Sequence, residues 1–422
     1  MTAGGGEARR RVLGQVVAGD QMRPMPGGAL LVEPRDVEQM GRVVALAHEH
    51  GWTVLPRGGG TSSGRAAGAG RPDIVVSTAR LDRLLFHDPA RMVATAECGI
   101  PVRELQRQLR ARKQFLPLDP PLPPAATLGG LLATNAFGPR RIRYGTARDW
   151  VLGTELVRFD GERLPAGAPA AGNASGYDLS QLYVGAWGSL GILARVHLKL
   201  APWPPAAGLL CVSPLEREPA AALVARLLGR PLPLTAALFR SRALDAPGEL
   251  LLLFEGLPEL IERQVDAAAA WLRQEGAPHP PRSSAGSSAR REIGEAIAGI
   301  AEPPPALRLR LNYAPGDYAP LIAELATADL GAAAEVSLPG SGVTWLVWRS
   351  VDGAREEELL RRAGEIVAVR EGWAMVDRRP PERPWRGPAV VPAPESLELM
   401  RRLRRALDPA GTFPDPPFLE GT

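Results

Sequence analysis

Apolar positions along this chain recur in two rhythms, one of period two and one near 3.6, and the two alternate from end to end. Residues 29–32 read as a short strand. Asp36 then stands at an N-cap position, and Val37, Met40, Val44 and Ala47 repeat on one helical face as far as Gly51. Strand-like runs follow at 52–55 and 74–76, with a glycine-rich loop between them. Residues 84–87 and 92–96, on either side of Asp88-Pro89-Ala90, predict a hairpin. Pro101 opens a helix carrying Val102, Leu105 and Leu109 on one side. Further strands are expected at 150–159, turned at Asp160-Gly161, and at 194–200. The second half alternates strands (207–212, 250–254, 307–312, 343–348) with helices (220–228, 260–275, 318–328), which is an α+β pattern. Residues 282–290 read as an exposed loop. A last helix over 395–407 sets Leu397, Met400, Leu403 and Leu407 on one side. The pattern divides the chain into an extension, 1–25, partly ordered at best; a first domain, 26–205; a second, 206–385; and a helix with its tail, 386–422.

Composition changes this picture little. The 422 residues hold 45% hydrophobic and 23% charged positions, as in an ordinary globular protein with a sizeable core. Of 50 basic residues only Lys113 and Lys199 are lysines, and 46 acids leave a formal charge of +4. Clusters such as Arg140-Arg141-Ile142-Arg143 therefore read as solvated or anion-pairing groups rather than a nucleic-acid surface. Cys98 and Cys211 are too few for a disulfide framework, a zinc site or an iron–sulfur cluster. No metal site is expected. The N-terminus lacks the apolar stretch of a signal peptide, and no run of about 18 apolar residues predicts a membrane span. The expectation is a cytoplasmic protein that meets a membrane only through partners.

Candidate chemistry centres on the loop Pro56-Arg57-Gly58-Gly59-Gly60-Thr61-Ser62. Consecutive glycines allow positive φ, so neighbouring amides can converge on an anion such as a pyrophosphate; a plain surface loop is the alternative. The loop lacks the third glycine and following helix of a dinucleotide fingerprint, and it lacks the lysine of a Walker loop. A second small-residue cluster surrounds Thr127, Gly129 and Gly130. Thr127 can cap a helix whose glycines admit either an anion or a close-packed neighbour. The five histidines form no pair with a carboxylate. Arg308 and Arg310 alternate on one predicted strand as a conceivable carboxylate clamp, or as exposed strand arginines. Trp345 and Trp348 read as core. No catalytic residue is assigned.

Taken together, 56–62, 126–135, 143–149 with Val151-Leu152-Gly153, and 188–193 resemble the vanillyl-alcohol oxidase and p-cresol methylhydroxylase superfamily of flavoproteins. Gly138-Pro139-Arg140-Arg141 and the Asn173–Asp178 element resemble most closely the E-type subunit of bacterial glycolate oxidase. The resemblance covers about 25–205 and weakens beyond. It implies an FAD-binding domain of two α+β subdomains, a ferredoxin-like α+β cap, and a C-terminal helix returning to the FAD domain. It also implies cofactor contacts: Pro56, Arg57, Gly58, Gly59, Gly60, Thr61 and Ser62 with Thr127, Gly129 and Gly130 around the pyrophosphate, and Pro121 beside them. Asn135, Tyr144, Gly145 and Asp149 would line the flavin side, and Gly191 and Ile192 would meet FAD through backbone. Thr61 stands where covalently flavinylated relatives carry histidine, so FAD is expected to be non-covalent. Gly172 replaces a lysine usual before Asn173, which weakens the expectation of independent catalysis. The implied role is an FAD-carrying subunit beside a catalytic flavoprotein and an iron–sulfur subunit, acting on a small 2-hydroxy acid. A stand-alone FAD oxidase or dehydrogenase and a flavin-free assembly subunit are the alternatives.

Overall fold

The computed structural model describes residues 3–61, 71–121, 124–167, 179–232, 234–277, 280–300, 305–328, 330–331, 333–380, 387–416 and 418–419, with the side chains of 3–5 excepted. Ser62, His279 and the Asn173–Asp178 element lie outside them. The N-terminal extension, expected to be partly ordered, is built into the fold instead. Helix α1 (Ala3–Leu13) delivers Leu13 and Val17 into the core of the first subdomain, and Arg9 pairs with Asp73. Two strands, β1 (Met22–Pro24) and β2 (Leu30–Val32), pair antiparallel. Helix α2 (Val37–Glu49) starts where the Asp36 side chain accepts the Gln39 N–H at 2.7 Å, and it buries Val37, Met40, Val44 and Ala47. After it, β3 (Val54–Arg57) and β4 (Ile74–Ser77) run parallel, completing a sheet ordered β1-β2-β4-β3.

The second subdomain begins with the expected hairpin, β5 (Leu84–Asp88) and β6 (Val93–Glu97), followed by α3 (Val102–Arg110) and the short β7 (Gln114–Phe115). Helices α4 (Leu128–Ala133) and α5 (Arg141–Tyr144) lead to β8 (Val151–Val157) and β9 (Arg163–Gly167). Then α6 (Ser180–Tyr183), β10 (Ile192–Lys199) and β11 (Ala201–Pro202) close it. The antiparallel sheet runs β5-β6-β10-β8-β9, and β11 pairs with β7. His197, on β10, is held by Thr95 across the sheet at 2.8 Å, and burial depresses its pKa. It is a half-buried cross-strand partner rather than a solvent-facing histidine.

The cap holds two ferredoxin-like units. The first is β12 (Ala206–Leu215), α7 (Arg217–Leu228), β13 (Leu234–Ser241), β14 (Gly248–Gly256), α8 (Pro258–Gln274) and β15 (Arg282–Ala285). After α9 (Gly286–Ala298) the pattern repeats as β16 (Leu307–Asn312), α10 (Tyr318–Thr327), β17 (Ala334–Leu338), β18 (Val343–Trp348), α11 (Glu356–Ala368) and β19 (Trp373–Arg378), with β20 (Val390–Val391) at the edge. Each unit orders its strands fourth-first-third-second, and β13 beside β17 fuses them into one antiparallel sheet of nine strands. A buried polar knot ties the fusion: Glu335 accepts from Arg217 Nε at 2.7 Å, Tyr318 Oη at 2.8 Å and Ser337 Oγ at 2.6 Å. Residues 282–290, expected to be a loop, form β15 and the start of α9. Their serines sit on a strand because Ser283, Ser284 and Ala285 pair with Leu210, Leu209 and Gly208 of β12.

The last helix, α12 (Leu397–Leu407), leaves Leu399 and Leu403 exposed. The expected return to the first domain is made chiefly by the tail behind it. There Thr412 O accepts the Val54 N–H at 2.7 Å and Phe413 enters the core of the first subdomain.

The second domain meets the first at a charged seam built by the Gly138–Arg141 segment. The Arg140 guanidinium forks onto Glu255 of β14 with two bonds of 2.8 Å, and its backbone N–H faces both Asp119 carboxylate oxygens at 3.2 Å. Arg290 completes the clamp with a 2.7 Å bond to the same Glu255. Burial works against the charge of Arg140, but the hydrogen bonds it donates to Glu255 and the field of Asp119 outweigh it and raise its pKa. Burial likewise acts to raise the Glu255 pKa, and its two arginines reverse this and hold it low. At Asp119 burial wins over Arg140 and lifts the pKa to about 6. A carboxyl with a raised folded-state pKa binds its proton more tightly when folded, so its stabilisation is complete below the ordinary aspartate range and is lost as pH rises through about 6. Asp119→Asn is therefore expected to melt above the parent at pH 8, by about 1–2 kcal/mol of stability, with the difference shrinking toward pH 4. Melting curves of both proteins across that range check it, and a constant or reversed difference counts against it.

Candidate functional site

A cleft of about 970 Å³, its open mouth included, lies where the two subdomains of the first domain meet. The floor is the end of β3 and the following loop, Pro56 to Thr61. One wall is the glycine face of α4, and the other runs from Tyr183 through Ala186-Trp187-Gly188 to Gly191, Ile192 and Leu193. Glycines in the loop serve different ends. Gly60 alone takes positive φ (+71°), bringing its backbone under the Arg57 side chain. Gly58 and Gly59 are required by a neighbour: a Cβ would stand 2.1 Å from Thr127 Oγ1 at the first and 1.6 Å from Ala125 O at the second. Positive φ, which consecutive glycines allow, is thus used at one of the three.

The α4 end is likewise a packing device. Gly129 N–H donates to Cys98 O at 2.7 Å and Leu128 N–H to Ile100 O at 2.9 Å, while Thr127 Oγ1 accepts the Gly130 N–H at 3.3 Å. Those amides are committed inside the protein, so the start of α4 is not the anion site its sequence suggested. Along the loop, by contrast, the amides of Gly58, Gly59 and Thr61 carry no hydrogen bond among the described residues. Among the described residues Arg57 forms no ion pair either, so its cation faces the cleft uncompensated by them.

The structure brings Pro56, Arg57, Gly58, Gly59, Gly60, Thr61, Gly129, Gly130, Gly191 and Ile192 to this cleft, with Thr127 directly behind Gly58. Asn135, Tyr144, Gly145 and Asp149 do not line it. Tyr144 stacks edge-on with Phe115 and Trp150, and Asp149 closes a turn on the Thr146 N–H at 2.7 Å. Gly145, with φ +76°, lies against that carboxylate. Pro121 is half-buried at the edge of the described residues.

Sequence reasoning missed Thr78, Thr134, Tyr183 and Trp187. Tyr183 is buried, which raises its pKa. Trp187 holds φ +58°, rare for a bulky residue, while its N–H bonds Ala133 O at 2.9 Å. Its place among Gly185, Gly188 and Gly191 was the one signal in the sequence that a side chain is displayed there.

These features fit a dinucleotide flavin. Thr78 lines the cleft and its Oγ1 is buried without a partner, and Asn135 Oδ1 is orphaned in the same way just past α4. Unbonded loop amides with Arg57 suit a diphosphate. Leu55, Ala133, Leu190 and Leu193 supply the apolar wall that an aromatic ring system needs. When bound, FAD would supply the redox chemistry, and the loop amides, Arg57 and Thr78 would hold it.

Comparison with known proteins agrees. Residues 28–167 match the FAD binding domain family. Glycolate oxidase subunit GlcD of Bacillus subtilis is 30% identical over 184 residues, covering 44% of this chain and 39% of that protein. Glycolate oxidase subunit GlcE of Escherichia coli is 36% identical over 162 residues, covering 38% of this chain and 46% of that protein. The chain thus spans less than half the length of these curated relatives. A solved alkyldihydroxyacetonephosphate synthase superposes with a TM-score of 0.73 at 15% identity, covering 96% of this chain and 84% of the other, a likeness of fold. The chain carries an FAD binding domain within a p-cresol methylhydroxylase-type fold, and FAD is its cofactor.

Proposed function

We propose that this chain, built on the FAD binding domain of residues 28–167, is the flavin-carrying subunit of a glycolate-oxidase-type 2-hydroxy-acid oxidoreductase. It passes electrons beside a catalytic flavoprotein and an iron–sulfur subunit. One observation carries the relay role: among the described residues lining the cleft, only Arg57 and Tyr183 have ionisable side chains. Neither is suited to take the proton that leaves a 2-hydroxy acid on oxidation, since Arg is always charged and burial keeps Tyr183 protonated. The names of the relatives, two glycolate oxidase subunits, supply the substrate class and the multi-subunit setting. Among the described residues no group of three His, Cys, Asp or Glu side chains is placed to hold a metal, and no helix is long and apolar enough to cross a membrane. Attachment to a membrane would then come through partners, from the cytoplasmic side.

With Thr61 beside the glycines, FAD is held without a covalent bond. Purified alone, the protein is expected to be yellow, to release all its flavin on acid precipitation, and to oxidise neither glycolate nor D-lactate. Turnover is expected once the partner subunits are added. Robust turnover by the isolated chain would replace this reading with the stand-alone oxidoreductase, and a colourless protein after gentle purification would replace it with the flavin-free subunit.

A further inference from the structure

One side chain of the cleft is displayed there against the preference of its own backbone. Trp187 holds φ +58°, where glycine is at ease and a bulky residue is an outlier. Its neighbours in the same region of φ are glycines, Gly185 at +87° and Gly188 at +77°. The segment is fastened so that it cannot relax. Gly185 N–H donates to Leu132 O at 3.0 Å, Trp187 N–H to Ala133 O at 2.9 Å, and the Ser189 N–H and Oγ both donate to Ala186 O, at 3.0 and 2.7 Å. Gly188 closes the other side against Pro56, where a Cβ would come within 3.2 Å of the proline ring.

Core packing does not account for the indole. Among the described residues, the core of the second subdomain takes in Tyr183, Val184 and Leu190 on either side of Trp187, while Trp187 itself belongs to no core and stays half-buried on the cleft wall. Tyr183, the other aromatic side chain lining the cleft, is buried in that core. The place of Trp187 also selects the ring it would meet. The loop amides suited to the diphosphate lie by the start of α4, where Gly58 abuts Thr127 and Gly59 abuts Ala125. Trp187 is tied to Ala133 at the other end of that six-residue helix, about 9 Å along. From there the chain runs through Asn135 to Phe137, which packs in a core of the second domain. A ring on this side of the diphosphate would be sheltered by both domains, and redox chemistry asks that shelter of the isoalloxazine, not of the adenine.

We infer that the Trp187 indole is a stacking plate for the isoalloxazine ring and sets its redox potential by holding the oxidised ring more tightly than the reduced one. An indole face is electron-rich and an oxidised isoalloxazine is electron-poor, so the two attract when stacked. Reduction adds two electrons to the ring, and the attraction falls. A group that binds the oxidised form better lowers the potential, which suits a flavin that passes its electrons on. The inference rests on FAD as the cofactor and holds whether the chain relays electrons or oxidises a substrate itself.

The test compares the parent with Trp187→Leu and Trp187→Phe, each stripped of flavin and reloaded with FAD. Leucine keeps the strained backbone and apolar bulk without a ring. Phenylalanine keeps a ring that stacks but does not quench flavin fluorescence as an electron-donating indole does. Bound FAD is expected to fluoresce weakly in the parent and several-fold more strongly in both variants. Oxidised FAD should bind about 10-fold more weakly to the Leu variant and within about 3-fold of the parent to the Phe variant. Reduced FAD should lose less, so the two-electron potential of the Leu variant should rise, by about 30 mV for each tenfold difference between the two losses. Melts of the flavin-stripped proteins should coincide. Unchanged fluorescence in the Leu variant, or equal losses for oxidised and reduced FAD, overturns the inference. Weaker FAD with a matching loss of ADP affinity and an unchanged potential would place the indole on the adenine and overturn it as well. Should Trp187→Leu not fold, the fluorescence of the Phe variant decides. None of these readouts uses turnover, so their outcome is separate from that of the 2-hydroxy-acid reading.

Discussion

Gly59→Ala is expected to destabilise the first domain and weaken FAD binding with it, whereas Gly130→Ala is expected to leave stability intact and weaken FAD alone. The contrast comes from what each new methyl group would meet. At Gly59 a Cβ would stand 1.6 Å from the Ala125 carbonyl oxygen and 2.6 Å from its carbon, both backbone atoms that cannot rotate aside. Relieving that contact means parting the loop from the segment that leads into α4. Overpacking of this kind costs about 3 kcal/mol, which lowers the melting temperature of a domain this size by roughly 6–12 °C. At Gly130 the nearest atom is Thr127 Oγ1 at 3.4 Å, an ordinary contact, so the methyl group projects into space that the cofactor would share. Thermal melts of both variants, stripped of flavin and then titrated with FAD, separate the effects. A Gly59→Ala protein that melts like the parent would show that the loop and the 125–127 segment are less closely docked than the structure has them.

That contrast also marks where the sequence could be read and where it could not. Period and punctuation were enough for α2, the β5–β6 hairpin and α3, because Asp36, Pro101 and the apolar stripes act locally. Pro56 to Thr61 was legible as a candidate anion loop, with a plain surface loop as the alternative, and the structure lines the cleft with it. Why Gly58 and Gly59 must be glycine was not legible. Thr127 and Ala125 press on them from about seventy residues away, and no local pattern reports a tertiary contact. The start of α4 misled in the opposite direction. A glycine pair behind a capping threonine looks like an open anion site, yet Cys98 and Ile100 offer their carbonyls to those very amides. Residues 282–290 looked like loop because Ser and Arg are poor strand formers, but an edge strand needs only backbone, and β12 supplied the partner. In the cap, Arg308 and Arg310 were indistinguishable on paper. Asp377 separates them, making the first a structural ion pair and leaving the second without an acid among the described residues.

Glu255→Ala is expected to loosen the cap from the FAD domain more than any other single change at the seam. The carboxylate sits fully buried between Arg140 and Arg290, and its own carbonyl holds Arg143 at 2.8 Å. Removing it strands two guanidiniums in a dry interface, and breaking a buried pair by deleting one partner costs about 3–5 kcal/mol. Little can offset the loss, because Asp119 reaches Arg140 Nη1 only at 3.4 Å and Arg290 keeps only the Pro204 and Ala206 carbonyls. Glu255→Gln should lose less, since an amide oxygen still accepts one bond. The sign of the pH dependence follows from the depressed pKa of Glu255. Its stabilisation is complete above the ordinary glutamate range and is lost as pH falls through the lower folded-state value, so the penalty of the Ala variant should shrink in acid. Protease cleavage within 202–206, where the chain passes from one domain to the other, would report the loosening directly. FAD affinity should fall only modestly, because no seam residue reaches the cleft. A variant that resists protease like the parent but no longer holds FAD would mean that Glu255 acts on the cofactor site itself, and the Gly138–Arg141 segment would then belong to the flavin rather than to the seam.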